Sequence, residues 1–428
     1  MSAWLASANA ADTDFPLENL PYGAFAAPGG EVHLGVAIGD QILDLRAALA
    51  TSAFDGLPEP LRQACALPSL NRLMGLGGGL ARGLRQRLTQ MLRQGSAHAE
   101  AASRLLVPQT GTEMRLPVEI GDYTDFYASL HHAFNVGSLF RPESPLFPNY
   151  KHVPIGYHGR SSSVVVSPEP VRRPWGQWLG TKGGGAPPDF APCRQLDYEV
   201  EVGFLVGCGN RLGEPVRLAQ AEEHIFGLCL LNDWSARDIQ RWEYQPLGPF
   251  LGKNFATSVS PWVVPLEALS AFRTRAPERA PGDPALLPDL DDPADRRLGG
   301  LDMMVEACLS SRAMREQELE PVRLSRATLL DLYWTMGQLL THHTSNGCNL
   351  RPGDLLATGT ISGAAPSARG CMLELTRAGK EPLTLPSGES RQFLQDDDEV
   401  SLRAYCQGTG GVRIGWGECR GRVLPALQ

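Results

Sequence analysis

The chain has 428 residues, 43% hydrophobic and 20% charged, which is the balance of a soluble globular protein with length for two or three domains. A net charge of −8 argues against a polybasic nucleic-acid coat or membrane binder, while leaving room for a local basic pocket. Nine scattered cysteines with no CxxC pair argue against a secreted disulfide framework and a structural zinc site.

The N-terminal MSAWLASANAADTDFPLENLPYG lacks a basic start followed by a long apolar core, so no signal peptide is expected. No apolar string approaches a membrane span either, and a soluble cytoplasmic protein is the expectation. Only four basic residues are lysines, Lys151, Lys182, Lys253 and Lys380, which arginine-favouring base composition explains without function. The first region runs to residue 117. EVHLGVAIGD and QILDL read as strands joined by a hairpin turn at Gly39-Asp40. Helical stretches follow, broken by a glycine-rich run around 74–78. Leu80, Leu84, Leu88 and Leu92 then mark one face of a helix over 80–95.

Beyond residue 118, aromatic, histidine and carboxylate residues become dense. A Pro/Gly-rich loop crosses 174–192. The stretch YEVEVGFLV at 198–206 alternates as a strand, with Tyr198, Val200, Val202 and Phe204 on one face and Glu199, Glu201, Gly203 and Leu205 on the other. Residues 271–298, rich in Pro, Ala, Asp and Arg, read as a surface excursion, and the last fifty residues alternate again. No repeat and no βαβ rhythm occurs. The expected fold is therefore a mixed β-rich α/β protein rather than a doubly wound sheet.

Three segments carry the chemistry. Glu199 and Glu201 point to one side of their strand, where adjacent negative charges either face water on an edge strand or share a hard divalent cation. In GDYTDFYASLHH at 121–132, a turn or helix would align Asp122 with Asp125, whereas a strand would align Asp125 with Tyr127. His131 and His132 cannot both face one centre, so at most one is a general base. In LLNDWSARDIQRWEYQPLGPFLGKNF at 230–255, a strand ends near Asp233, and Ser235 with Asp238 resembles a helix N-cap and its acidic first turn. Arg237, Gln240 and Tyr244 then share a helix face suited to a carboxylate or an oxyanion, or simply to solvent. Lys253 offers its ammonium to negative charge or its carbonyl to a metal.

GDYTDFYASLHH, PIGYHGR at 154–160, LDYEVEVGF at 196–204, LNDWSARDIQRWEYQPLGPFLGK at 231–253 and THHTSNGCNLRPGDLLATGTISG at 341–363 together resemble the fumarylacetoacetase family. The resemblance extends from FPLENLPYG to the terminal VLPAL. It implies a small N-terminal SH3-like barrel domain over 1–117, a larger catalytic β-roll domain over 118–428, and a homodimer. It also implies hydrolysis of the C–C bond of a small diketo acid, with neither nucleic acid nor membrane as partner. By the same resemblance Asp125, Glu199, Glu201 and Asp233 are Ca²⁺ ligands, while Asp233, Lys253 and Thr257 form a Mg²⁺ site. His132 becomes the general base, Glu374 in CMLEL its orienting carboxylate, and Arg237, Gln240 and Lys253 the group that stabilises oxyanion or carbanion charge. Tyr127, Arg141, Tyr157, Gln240, Tyr244 and Thr360 become substrate contacts. A decarboxylase or hydratase of the same fold would keep Glu199 and Glu201 but need no His132–Glu374 pair, and a noncatalytic dicarboxylate binder would lack turnover.

Overall fold

The computed structural model describes residues 2–27, 29–180, 187–408 and 411–427. Lys182 and the middle of the 174–192 loop lie outside them. In the N-terminal region β1 (Tyr22–Ala26), β2 (Val32–Ile38) and β3 (Gln41–Asp44) form an antiparallel meander. Ile38 faces Gln41 across the Gly39-Asp40 turn, where Gly39 takes φ +56° as a two-residue hairpin requires. The leucine row lies on α1 (Gly78–Leu92), which buries Leu84, Leu88, Met91 and Leu92. Each such side chain removed from water contributes about 1.5–3 kcal/mol. β4 (Leu106–Pro108) and β5 (Met114–Arg115) complete a five-stranded sheet in the order β4-β3-β2-β1-β5.

The larger region begins with β6 (Tyr123–Phe126), α2 (Leu130–Phe140), β7 (Gly156–His158), β8 (Val164–Val166) and β9 (Val171–Arg172). It continues with β10 (Val200–Val206), β11 (Ile225–Asp233), α3 (Arg237–Glu243), β12 (Thr257–Val259) and β13 (Val264–Pro265). Then come β14 (Met304–Ser310), β15 (Val322–Thr328), β16 (Leu355–Ala357), α4 (Met372–Leu375), β17 (Glu399–Gln407) and β18 (Arg413–Leu424). An eight-stranded sheet runs β7-β6-β16-β10-β11-β12-β8 with β13 also on β11, and a five-stranded sheet runs β15-β14-β17-β18-β9. The β-rich expectation holds for both regions.

The central strand β10 decides where the site lies. Its Val200, Val202 and Phe204 face the core of the larger region, whereas Leu205 on the opposite face joins the N-terminal core with Leu231, Val259 and Leu355. Both faces are thus covered, so the edge-strand alternative for Glu199 and Glu201 falls. The two carboxylates sit on the face that the N-terminal region roofs farther along the strand. At the neighbouring strand end Gly359 takes φ +74°, and a Cβ there would lie 2.0 Å from the Phe126 carbonyl oxygen, so glycine lets these two chain ends touch.

One local expectation needs correction, and one open alternative is decided. Ser235 does not cap a helix. Ser235–Ala236 pairs as a short strand with Leu196–Asp197, α3 starts at Arg237, and Ser235 Oγ donates to the Asp233 carbonyl at 3.0 Å. The Asp238 carboxylate accepts instead from the Arg194 N–H at 2.7 Å and from Cys193 Sγ at 2.9 Å. Asp122 does not align with Asp125 either, because their segment is extended and alternate residues face opposite ways. Asp122 pairs with Arg351 at the surface, 2.6 Å away, while Asp125 is buried. The 271–298 excursion is anchored to the larger region, with Leu290 buried and Asp283 accepting from Tyr333 Oη at 3.0 Å and paired with Lys151.

Candidate active site

Strand register assembles the acidic group from three distant segments. Ala357 of β16 lies beside Asp125 on one side and Gly203 on the other, and Asp233 at the end of β11 lies opposite Thr257. Asp125, Glu201 and Asp233 consequently each bring a carboxylate oxygen within 4.8 Å of the others, all buried. Glu199 stands apart from this trio. Its Oε1 pairs with Arg237 Nη1 at 2.8 Å, and its Oε2 pairs with Lys253 Nζ, which also reaches Asp233 Oδ2 at 2.8 Å. Tyr157 Oη and Thr257 Oγ1 donate to Asp233 as well, at 3.0 and 3.3 Å.

These partners do not satisfy the group. Both Glu201 carboxylate oxygens and Asp125 Oδ1 are buried without a hydrogen-bond partner among the described residues. Burial, then the charges of Asp125, Asp233 and Glu199, push the Glu201 carboxyl well above the ordinary range. Burial and Asp233 do the same to Asp125 against the pull of Lys253. Burial opposes ionisation of Glu199 too, but the Lys253 and Arg237 cations outweigh it and lower its carboxyl. Orphaned, all-oxygen donors with too few cations fit a hard divalent ion.

The second buried group is complete. Ser129 caps α2 by accepting from the His132 N–H at 3.2 Å, which seats His132 in the first turn. Its Nδ1 lies 2.6 Å from Glu374 Oε2. Asn135 Nδ2 donates to Glu374 Oε1 at 2.8 Å, while Ser362 Oγ and Cys371 Sγ donate to Oε2 at 2.8 and 3.2 Å. Burial alone would raise this carboxyl, yet His132 and these hydrogen bonds bring it down to about 2. His131, one step around the helix, is half-buried and outside this cluster.

Tyr127 presents its ring edge-on to His132 with centroids 5.4 Å apart, and Thr360 is buried. Gln240 Oε1 accepts from Arg237 Nη1 at 3.2 Å. Arg141, just past α2, donates to the Pro145 carbonyl at 3.2 Å and lies over the Phe147 ring. Tyr244 is 38% exposed, so the face shared with Arg237 and Gln240 opens to solvent at its far end. Asn135, Ser362, Cys371 and Asp197 escaped the sequence reading. Asn135 carried a signal, three residues beyond His132 on a helix, and Asp197 carried another, two before Glu199 in an alternating run. Ser362 carried none.

A β-rich fold that buries both an imidazole–carboxylate pair and an all-oxygen acidic trio offers a paired base and a candidate cation site, the equipment of an enzyme. Residues 18–117 match the family described as Fumarylacetoacetase N-terminal, and residues 122–424 match Fumarylacetoacetate (FAA) hydrolase C-terminal. The chain is 48% identical to the fumarylacetoacetases of Bos taurus and Homo sapiens, with 98% of each chain covered. It is 43% identical to that of Arabidopsis thaliana, covering 97% of both. Among solved structures, the fumarylacetoacetate hydrolase from psychrophilic Exiguobacterium antarcticum shares the fold at a TM-score of 0.51 and 17% identity, over 95% of this chain and 99% of that one. The chain belongs to the fumarylacetoacetate hydrolase family.

Proposed function

We propose that the chain hydrolyses the C–C bond of 4-fumarylacetoacetate to fumarate and acetoacetate, the last step of tyrosine and phenylalanine breakdown. The observation that carries this reading is the buried His132–Glu374 pair at 2.6 Å, in a fold that also buries the trio of Asp125, Glu201 and Asp233, where both Glu201 oxygens and Asp125 Oδ1 lack a partner among the described residues. Glu374 holds the Nδ1 proton of His132, which leaves Nε2 free to take a proton from water. The resulting hydroxide equivalent adds to the carbonyl carbon. Arg237 Nη2, buried and without a hydrogen-bond partner among the described residues, is the donor we assign to the developing oxyanion, with Gln240 and Lys253 beside it. Collapse breaks the C–C bond, and the proton held by His132 matches the one that the departing carbanion requires. Tyr127, Tyr157, Thr360 and the Arg141 fork are the groups we assign to binding the diketo acid and its distal carboxylate, with Tyr244 at the rim.

Asp125, Glu201 and Asp233 would hold Ca²⁺ or Mg²⁺, with Lys253 and Thr257 adjoining through Asp233 and Glu199 through Lys253. When bound, the ion would withdraw electron density from the diketone and offset negative charge. The family reading extends to a cytoplasmic homodimer with an SH3-like barrel over 1–117 and a β-roll catalytic domain over 118–428. No helix among the described residues is long and apolar enough to cross a membrane. Loss of the diketone absorbance with stoichiometric fumarate release, in protein loaded with divalent cation, is the expected result. Intact substrate after prolonged incubation of cation-loaded protein overturns the reading.

A further inference from the structure

Arg237 and Glu374 serve different steps of the proposed reaction and lie on different elements, yet both hang on one residue. Asp197 is fully buried. Its Oδ2 accepts from Arg237 Nε at 2.9 Å and from the Leu373 N–H at 2.9 Å. Its Oδ1 accepts from the N–H groups of Met372 at 2.7 Å and of Tyr198 at 2.8 Å. Met372 and Leu373 open α4, whose own N-cap residue, Cys371, makes no side-chain capping bond. Asp197 therefore caps that turn from another strand, meeting donors that the helix leaves unpaired. Glu374, one residue further along the same turn, holds His132.

The other contact fixes a plane. A guanidinium is flat, so once two of its nitrogens are held the third has a set direction. Asp197 takes Nε, while Glu199 and Gln240 take Nη1 at 2.8 and 3.2 Å. Nη2 is left buried and without a hydrogen-bond partner among the described residues. The short strand Leu196–Asp197 pairs with Ser235–Ala236, which brings the two chain segments together just before Arg237.

We propose that Asp197 is a positioning residue for the hydrolysis, holding the free donor of Arg237 and the His132–Glu374 pair in fixed relation from a single buried carboxylate. The inference rests on the reaction proposed above. Asp197→Asn keeps the shape but sets an amide donor against N–H donors. In cation-loaded protein its kcat should fall roughly 100-fold, the scale of a lost oxyanion donor, with KM within about threefold of wild type. Calorimetric binding of Ca²⁺ to the variant should stay within about tenfold of wild type, because Asp197 touches none of the acidic trio. In a Glu374→Gln background the same substitution should cost measurably less than it does in wild type, since the share exerted through the His132–Glu374 pair is already gone while the share exerted through Arg237 remains.

A folded Asp197→Asn protein with kcat within about threefold of wild type overturns the inference, as does a penalty that multiplies in full with Glu374→Gln. If Asp197→Asn does not fold, the same cycle run on Asp197→Glu decides by the same two criteria. Wild-type protein that leaves the diketo acid intact overturns the reaction itself, and that result is read before any variant.

Discussion

Around Glu374 the described residues supply a hydrogen-bond partner for both carboxylate oxygens, whereas around Glu201 they supply one for neither. Both side chains are buried, both come from β-rich surroundings, and their carboxyls shift in opposite directions. Burial penalises ionisation at each. At Glu374 an imidazole, an amide and a hydroxyl outweigh that penalty, while at Glu201 three neighbouring carboxylates add to it. The first group is completed by folding alone. The second is left short of positive charge among the described residues, because Lys253 bridges Glu199 and Asp233 and reaches neither Glu201 oxygen.

The largest expected effect tests the completed group. His132→Ala should lower turnover by about 10⁴-fold, the upper range for a lost general base, while calorimetry finds divalent-cation binding unchanged. Wild-type rates in that variant would remove the assigned base. Glu374→Gln should cost about 3 kcal/mol of stability at pH 7 by urea denaturation. The sign follows from a folded value of about 2 against an ordinary 4.5. Its contribution is present above the ordinary value and is lost as pH falls through the folded one, so variant and wild type should converge in strong acid.

Glu201→Gln should act in the opposite sense. In cation-free protein at pH 7 it should raise stability by about 1–3 kcal/mol, because it removes an uncompensated buried acid, and it should abolish the thermal stabilisation conferred by Ca²⁺. Because the Glu201 carboxyl is raised on folding, its favourable contribution is complete below its ordinary value and disappears as pH climbs through the folded one. Cation-free wild type should therefore grow more stable from neutral pH toward mild acid by this contribution, and saturating Ca²⁺ should flatten that trend. Equal pH profiles for wild type and Glu201→Gln, both without cation, would break the contrast with Glu374. The smallest effect belongs to the exposed rim, where Tyr244→Phe should change KM by less than about threefold in steady-state kinetics.

Much of this was readable along the chain wherever the controlling interactions are short-range. The Gly39-Asp40 hairpin, the leucine face of α1 and the alternation of β10 each follow from turn chemistry or side-chain period. Ser235 misled because its spacing fits a cap while its backbone is engaged by a strand 38 residues earlier in the chain, at Asp197. Asp122 stayed open because helical and extended readings of the same spacing differ in which face a side chain takes, and the strand Tyr123–Phe126 decides for the extended one. The functional assignment of His132 and Glu374 came from family motifs, since the two are 242 residues apart and no local pattern joins them.

Residue order alone determined the periodic elements and the chemical inventory: carboxylates in pairs, an imidazole on a helix, one lysine among glycines and aromatics. Tertiary structure decided that the Glu201 face is roofed rather than wet, that Lys253 bridges Glu199 and Asp233, and that Asp197 ties Arg237 to the turn bearing Glu374. The reason is electrostatic. Side-chain direction is set within a few residues, but whether a charge is solvated, paired or left wanting depends on what distant chain packs over it.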